Sequence, residues 1–196
     1  MSFVQKNIYY FEKPGPANTT DSAKLAKERA IELGITRVIV ASTSGKTAKV
    51  FCETLKGSGI SLIIVTHVVG FAEPGIWEFS AETASELRKN GVIIITGTHV
   101  LSGLEKAFSK SSKVSGGSRT EAVAEALRRV VAVGLKVAVE CVMIAADQGE
   151  IPVNEEVISI GGTGSGADTV VVIRPAHTSS FFDLQVREIV AMPRNR

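Results

Sequence analysis

The sequence predicts an α/β fold with a mostly parallel sheet. In the first half of the chain, four short apolar segments alternate with three helical segments over short connections. Such alternation places parallel strands in one sheet with helices on both faces, because the crossovers between the strands are right-handed. The third apolar segment, 61–65, is apolar almost throughout, as expected of a strand covered on both sides. A chain of 196 residues with 44% hydrophobic residues can bury one core, so we expect a single domain spanning residues 1–196.

Capping residues, glycines and apolar periodicity set the boundaries of the predicted elements. A helix capped by Thr19 or Thr20 ends at Gly34, and a capping box at Ser118 opens a helix that ends at Gly134. The segment 135–148 is rich in valine, but its length favours a helix over a strand. The predicted strands cover residues 8–11, 38–41, 61–65, 92–95, 157–160, 169–173 and an edge-type strand at 184–192, and further helices cover about 46–56 and 81–90.

The segment between the fourth strand and Ser118 allows two interpretations. Residues 101–110 form a candidate short helix, and the serine- and glycine-rich residues 111–118 follow it. A loop of this composition beside a ligand site acts as a lid in some proteins, whereas most such loops only connect surface elements. The sequence leaves both interpretations open.

A hydroxyl-rich turn follows the second predicted strand, within the sequence VIVASTSGKTAKVF at 38–51. The first turn of a helix exposes backbone N–H groups and the positive end of the helix dipole, so small residues there let an anion bind. Hydroxyl groups and one cation lie in this turn: Ser42, Thr43, Ser44, Lys46 and Thr47. The sequence therefore predicts a phosphate site at 42–47. The alternative is that Ser44 only caps the helix.

The length of this turn limits the kind of phosphate. Gly45, Lys46 and Thr47 end like a nucleotide-binding P-loop, but that motif needs a glycine where Val40 stands within the strand. The turn is too short to wrap a triphosphate. We therefore expect a monophosphate carried by a sugar, a flavin or a nucleotide.

Two threonine–histidine pairs follow the third and fourth predicted strands. They are Thr66 with His67 and Thr98 with His99. Ligands of open parallel sheets bind beyond the carboxyl ends of the strands, so both pairs are expected near the phosphate turn. The alternative is that each histidine is an ordinary hydrogen-bonded loop residue. A third ligand with suitable spacing is lacking, so the pairs do not indicate a metal site.

A glycine-rich segment, IGGTGSGADT, follows the fifth predicted strand. It contains G-x-G-x-x-A, but a dinucleotide-binding fingerprint needs a helix directly afterwards, and the next segment, 169–173, is a predicted strand. Two interpretations remain. The segment is either a hairpin turn alone or a hairpin whose backbone N–H groups form a second anion site.

Composition excludes several classes of partner. The net charge is only +2 and no basic stripe is present, so we expect no nucleic acid, and Arg128 and Arg129 are read as a solvated helix face. Cys52 and Cys141 lack C-x-x-C spacing and are read as core thiols of a reducing compartment. Charged residues interrupt the apolar stretch 130–146, and no secretory signal is visible, so we expect a cytoplasmic protein without a membrane span.

Several segments resemble one family of proteins. The turn ASTSGKTA after an amino-terminal PGPANT is similar to the carboxy-terminal domain of pyruvate kinase, where a strand leads into a T-x-S-G-[RK]-[ST]-A turn. The wider chain is similar to a largely archaeal family of stand-alone proteins that are pyruvate kinase C-terminal-domain-like and have no assigned reaction. The segments that carry this likeness are GTHVLSG, SRTEAVAEALR, KVAVE, MIAADQGEIP, GGTGSGADTVVVIRP and FFDLQVREIVAMPR.

The resemblance implies a three-layer α/β/α sandwich, with a mostly parallel sheet and an antiparallel final strand. In regulated pyruvate kinases the matching turn holds a sugar phosphate, and a second glycine-rich loop closes over the sugar. The stand-alone members resemble binders of FMN, which suggests that the turn holds the FMN phosphate while the two threonine–histidine loops face the ring. The residues implied are Ser42, Thr43, Ser44, Gly45, Lys46, Thr47, Thr66, His67, Thr98, His99, Gly162, Thr163, Gly164 and Gly166 within the loops 42–47, 66–67, 98–99 and 162–168.

Two functional classes remain open. The first is a module that binds a flavin or another phosphorylated metabolite, or a sugar-phosphate sensor, without chemistry of its own. The second is a small enzyme that uses His67 or His99 as a general acid or base, with Glu140 either orienting a histidine or only pairing with Lys136. No nucleophile elbow or paired carboxylates appear, which favours binding. A homo-oligomer is left open, and pyruvate kinase activity is not expected, because its catalytic barrel takes roughly 250 residues.

Overall fold

A seven-stranded sheet forms the centre of the fold, with the strand order β1-β7-β6-β5-β2-β3-β4. The computed structural model describes residues 3–112 and 118–195. Every neighbouring pair is parallel except β5 with β6 and β6 with β7. The strands are β1 (Tyr9–Phe11), β2 (Arg37–Ala41), β3 (Ser61–His67), β4 (Ile93–Gly97), β5 (Val157–Gly161), β6 (Thr169–Arg174) and β7 (Gln185–Pro193).

Helices connect the strands and cover both faces of the sheet. Ser80 and Ser118 cap two of them, since each side chain accepts a hydrogen bond from the backbone N–H three residues on. None of the helices in the described ranges has the length and apolar composition needed to cross a membrane. The helices are α1 (Thr19–Leu33), α2 (Lys46–Leu55), α3 (Ala81–Lys89), α4 (Glu105–Lys110), α5 (Arg119–Ala126) and α6 (Val133–Asp147).

The alternating side chains of the strands build two cores. Val38 and Val40 of β2 pack with α1, α2 and α3 on one face, whereas Ile39 between them packs with α5 and α6 on the other. Successive strand residues point to opposite faces, so a central strand that is apolar throughout serves both cores. The arrangement is the three-layer α/β/α sandwich with a mostly parallel sheet that the family resemblance implies.

The reversed strand is β6. It is antiparallel to both of its neighbours, so β7 is antiparallel to β6 yet runs in the same direction as the rest of the sheet. The prediction that β7 is an edge strand is wrong, because β1 pairs with it through Tyr9–Ala191 to Phe11–Pro193. The first strand of the chain thus covers the side of the last one, which local patterning does not reveal.

The helix that starts at Arg119 ends earlier than predicted. After α5, residues Leu127–Val131 form a π-helical turn, and Ala132 is extended with φ −158° and ψ 150°. The predicted end at Gly134 is wrong, because Gly134 lies in the first turn of α6. The predicted helix at 135–148 and the short helix within 101–110 are both present, as α6 and α4. The possible lid at 111–118 falls largely on residues 113–117, outside the described residues.

Candidate functional site

A cleft of about 710 Å³ opens at the carboxyl end of the sheet. Its volume lies within the range of small-molecule sites, roughly 300–1,000 Å³. The turn after β2, the ends of β3 and β4, the glycine-rich hairpin and one side of α6 line it. The lining residues used below are Thr19, Ser42, Thr43, Ser44, Lys46, Thr47, Thr66, His67, Gly97, His99, Arg128, Glu140, Cys141, Gly162, Gly164, Ser165 and Gly166.

The phosphate turn forms one end of this cleft. Gly45 is the N-cap of α2 with φ 90°, and as a glycine it has no side chain to cap the helix. Within residues 3–112 and 118–195, the backbone N–H groups of 44–47 have no hydrogen-bond acceptor. Four unpaired donors at the positive end of a ten-residue helix form the arrangement that binds anions. The alternative that Ser44 caps the helix is wrong, since Ser44 precedes the N-cap and makes no capping bond.

Hydrogen bonds to neighbouring elements fix the shape of the turn. The buried Ser42 hydroxyl accepts from the Ala48 N–H at 3.3 Å, and the Ser42 N–H donates to the Val65 carbonyl at 3.0 Å. The Thr66 hydroxyl donates to the carbonyl of Thr43 at 3.3 Å. These bonds hold the turn against β3, so the free N–H groups are oriented before any ligand arrives.

The glycine-rich hairpin also lines the cleft and is ordered by one buried carboxylate. The Asp168 Oδ2 accepts from the N–H of Gly15 at 2.9 Å and from that of Thr163 at 3.0 Å. The Thr19 hydroxyl accepts from the Ala167 N–H at 3.1 Å. The segment is therefore a hairpin turn, joined to the loop before α1. In the described part of the chain the N–H groups of 164 and 166 keep no acceptor, and a second anion site there stays a prediction.

The two histidines lie together at another end of the cleft. Their ring centroids are 5.3 Å apart, and Phe71 lies against both, at 3.9 Å from His67 and 5.3 Å from His99. Each histidine contacts a carboxylate through Nδ1, His67 with Glu78 at 2.9 Å and His99 with Glu140 at 3.1 Å. The expectation that the two threonine–histidine pairs meet at one edge is correct for the histidines.

Glu140 connects the cleft with the interior of α6. Its carboxylate contacts the ammonium of Lys136 and accepts from the Leu101 N–H at 2.9 Å, and both α6 side chains are 2% exposed. Burial alone would raise the pKa of Glu140, but the hydrogen bond from His99 and the charge of Lys136 outweigh burial and hold that pKa at about 2. Burial lowers the pKa of Lys136. Glu140 therefore pairs with Lys136 and also orients His99, so it has both of the roles that the sequence analysis considered.

His99 carries an atom without a partner. Among the described residues, two buried side-chain polar atoms lack a hydrogen bond, His99 Nε2 and Trp77 Nε1. A buried polar atom left unpaired costs about 1–3 kcal/mol, so such atoms are rare and often functional. His99 lines the cleft, whereas Trp77 stacks on Phe79 outside it.

The cysteine in the cleft is not a reactive thiol. Burial raises the pKa of Cys141 to about 12, with the negative charge of Glu140 adding to the effect. The thiolate is the nucleophilic form, so Cys141 is inert near neutral pH. The described residues also contain no group of three or more histidine, cysteine, aspartate or glutamate side chains that could hold a metal ion.

Comparison with known proteins identifies the family. Residues 21–173 match the family described as "Pyruvate kinase, alpha/beta domain". The chain belongs to this family. Among solved structures, the chain resembles Cryptosporidium parvum pyruvate kinase in complex with ADP, with 16% sequence identity and a TM-score of 0.40. The similarity covers 92% of this chain and 25% of that one, so this pyruvate kinase alpha/beta domain spans about a quarter of that enzyme's length.

The structure of this pyruvate kinase alpha/beta domain separates the predicted site residues into two groups. Three of them do not line the cleft. Gly45 faces Thr83 and Phe79, Thr98 lies outside the cleft, and Thr163 is tied to Asp168. Those that line it are Ser42, Thr43, Ser44, Lys46, Thr47, Thr66, His67, His99, Gly162, Gly164 and Gly166.

Sequence reasoning missed several residues of the site. Phe71 and Glu78 lie in the loop after β3, and no spacing rule connected them with the histidines. Arg128 was read as solvated, but it lines the cleft while pairing with Glu125, whereas Arg129 is exposed as expected. A glutamate inside an otherwise apolar helix was the one available signal for Glu140, since buried charges need partners.

Proposed function

We propose that this protein binds a small phosphorylated molecule, with FMN as the first candidate, and has no pyruvate kinase activity. The observation that carries the proposal is the set of unpaired N–H groups at 44–47, in a turn whose residues Ser44, Lys46 and Thr47 line a cleft of about 710 Å³. The Lys46 ammonium adds a positive charge at the same end. A phosphate monoester supplies the acceptor oxygens and negative charge that this end lacks.

The remainder of the cleft suits a planar ring. His67 and His99 line the cleft, and Phe71 packs against both of them outside its lining. Aromatic rings pack in stacked or tilted pairs with further rings. The buried, unpaired Nε2 of His99 belongs to one of these rings. An apolar slot with few placed polar groups is typical of cofactor sites, so the residues present fit a flavin. When bound, FMN supplies hydride and electron transfer.

Paired ligands test the proposal. FMN and riboflavin share the ring and differ in the phosphate, so quenching of flavin fluorescence by the purified protein isolates the phosphate contribution. We expect FMN to bind at least about tenfold more tightly than riboflavin, since charge-assisted hydrogen bonds to the phosphate are lost with riboflavin. Equal affinity for the two would contradict the phosphate site. Thermal stabilisation by a sugar phosphate or a nucleotide, with no effect of FMN, would replace FMN by that ligand.

A second candidate is a small flavin-dependent or phosphometabolite-converting enzyme. The observation that favours it is the chain from Lys136 through Glu140 to His99, because an oriented histidine at a cleft is the usual arrangement of a general acid or base. His67 with Glu78 is the other candidate. Turnover of a screened substrate that is lost in His99→Ala or His67→Ala, with ligand affinity kept, would support the enzyme. Turnover unchanged in both variants would exclude these roles.

The proposal also includes a cytoplasmic location, membership of the largely archaeal stand-alone group and a possible homo-oligomer. A cytoplasmic location is supported by Cys52 and Cys141, which are both free thiols. Assignment to the largely archaeal stand-alone group rests on the sequence segments quoted above. A homo-oligomer is tested by sedimentation of the purified protein, where a monomer mass would exclude it.

A further inference from the structure

The neutral form of His99 has a defined hydrogen-bond polarity. The carboxylate of Glu140 can only accept, and it already accepts from Leu101 and contacts Lys136. The contact of 3.1 Å between His99 Nδ1 and Glu140 Oε2 therefore places the ring hydrogen on Nδ1. The other nitrogen, Nε2, is then an acceptor.

This acceptor is buried and has no partner in the described residues. His67 cannot supply a donor through Nδ1, because that atom is engaged with Glu78. Phe71, which packs against both imidazoles, has no polar atom to offer. The surroundings of Nε2 therefore leave one requirement unmet, a hydrogen-bond donor that lies among aromatic rings.

We infer that His99 Nε2 accepts a hydrogen bond from a ring N–H of the ligand and selects for heterocycles that carry such a donor. The inference rests on the proposed function and deepens it, because it names the chemistry that the site recognises beside the two histidines. Oxidised flavin rings carry one such donor, the N3–H. Phe71 is 43% exposed and lies in the loop after β3, against both histidines.

A methylated ligand separates this contact from all others. N3-methyl-FMN keeps the phosphate and the ring but lacks the ring N–H. We expect the wild type to bind N3-methyl-FMN about tenfold or more weakly than FMN. His99→Phe should bind the two ligands equally. The matched control is His177→Phe, since His177 is exposed, contacts Asp147 and lies outside the cleft, and this variant should keep the wild-type preference.

NMR of the ligand-free wild type tests the inference even if His99→Phe fails to fold. Nitrogen NMR of the free wild type should show His99 with its hydrogen on Nδ1 and a bare Nε2. A hydrogen on Nε2, or equal binding of FMN and N3-methyl-FMN by the wild type, overturns the inference while the preference of FMN over riboflavin keeps the phosphate site. Failure of FMN to bind at all overturns the proposed function and this inference with it.

Discussion

Backbone groups form one end of the cleft, and side chains form the other. The phosphate end consists of backbone N–H groups on α2 that lack acceptors in the described residues, with hydroxyl groups around them. The histidine end consists of side chains held by other side chains, from β3, the segment after β4 and α6. Ligand contacts at the first end depend on helix geometry, whereas those at the second depend on a buried chain of charges. We therefore expect mutations at the two ends to have different effects on stability and on ligand affinity.

The largest effect is expected from breaking the buried pair of α6. Glu140→Ala leaves the ammonium of Lys136, only 2% exposed, without its carboxylate, which should lower the free energy of unfolding by about 3–5 kcal/mol. Urea unfolding measures this change. The control is Glu125→Ala on α5, whose carboxylate pairs with Arg128 and Arg129 at the surface and should leave stability nearly unchanged.

A double variant shows whether the charge or the cavity is responsible. Lys136→Met with Glu140→Leu replaces the pair by apolar side chains of similar size and should recover most of the lost stability. It should also keep the preference for FMN over riboflavin, because the phosphate end does not depend on α6 charges. A double variant as unstable as Glu140→Ala would contradict the explanation by an unpaired charge.

Acid should remove the contribution of Glu140 to stability. Its pKa in the folded protein is about 2, lowered from an ordinary value of 4.5. A lowered carboxylate pKa stabilises the fold above the ordinary value, and this stabilisation is lost as the pH falls from about 4.5 towards 2. Thermal unfolding across this range should therefore fall more steeply for the wild type than for the Lys136→Met, Glu140→Leu variant.

Other acidic groups do not obscure this difference. The pKa values of Glu32, Glu125 and Asp147 are also lowered, by hydrogen bonds that outweigh burial in each case, and all three remain in both proteins. Their contributions cancel when the two curves are subtracted. Parallel curves for the wild type and the double variant would show that folding does not lower the pKa of Glu140.

The phosphate end could be predicted because it is local. A strand, a turn of small residues and a helix start follow one another within 38–51, and the spacing of apolar and hydroxyl residues shows all three. The packing of Gly45 against Phe79 and Thr83 could not be predicted, since these two residues belong to a later segment of the chain. The same holds for the strands, whose existence was clear from apolar runs while the pairing of β1 with β7 was not.

The histidine end could be predicted only in part because its contacts are distant in sequence. His99 and Glu140 are 41 residues apart, and their contact requires α6 to lie beside the end of β4. The break at Ala132 sets where α6 begins, and the sequence placed that break at Gly134. Glycine often ends a helix, but it also occurs in the first turn of a helix. The residue type of Gly134 therefore did not decide whether it ends one helix or begins the next.

A smaller effect is expected at the cap of α2. Gly45 has φ 90°, and a Cβ there would lie 2.6 Å from Thr83 Cγ2. Gly45→Ala should lower the free energy of unfolding by roughly 1–3 kcal/mol and weaken FMN more than riboflavin, because the turn must shift. Gly34→Ala is the control. Gly34 also has a positive φ, of 67°, but no atom lies within 4 Å of a Cβ placed there, so this variant has the backbone strain without the steric clash. Equal loss of FMN and riboflavin affinity in Gly45→Ala would place the phosphate elsewhere.

The smallest effect is expected from the charge in the phosphate turn. Lys46 is exposed and acts on the phosphate as a point charge beside the helix dipole, so Lys46→Ala should weaken FMN by roughly two- to fivefold and leave riboflavin unchanged. Lys49→Ala is the control on the same helix, because Lys49 pairs with Glu86 outside the cleft. The Lys46 effect should shrink as salt is added, since exposed charges are screened. If Lys46→Ala weakened riboflavin equally, the charge would not act on the phosphate, and the separation of the cleft into a backbone end and a side-chain end would not hold.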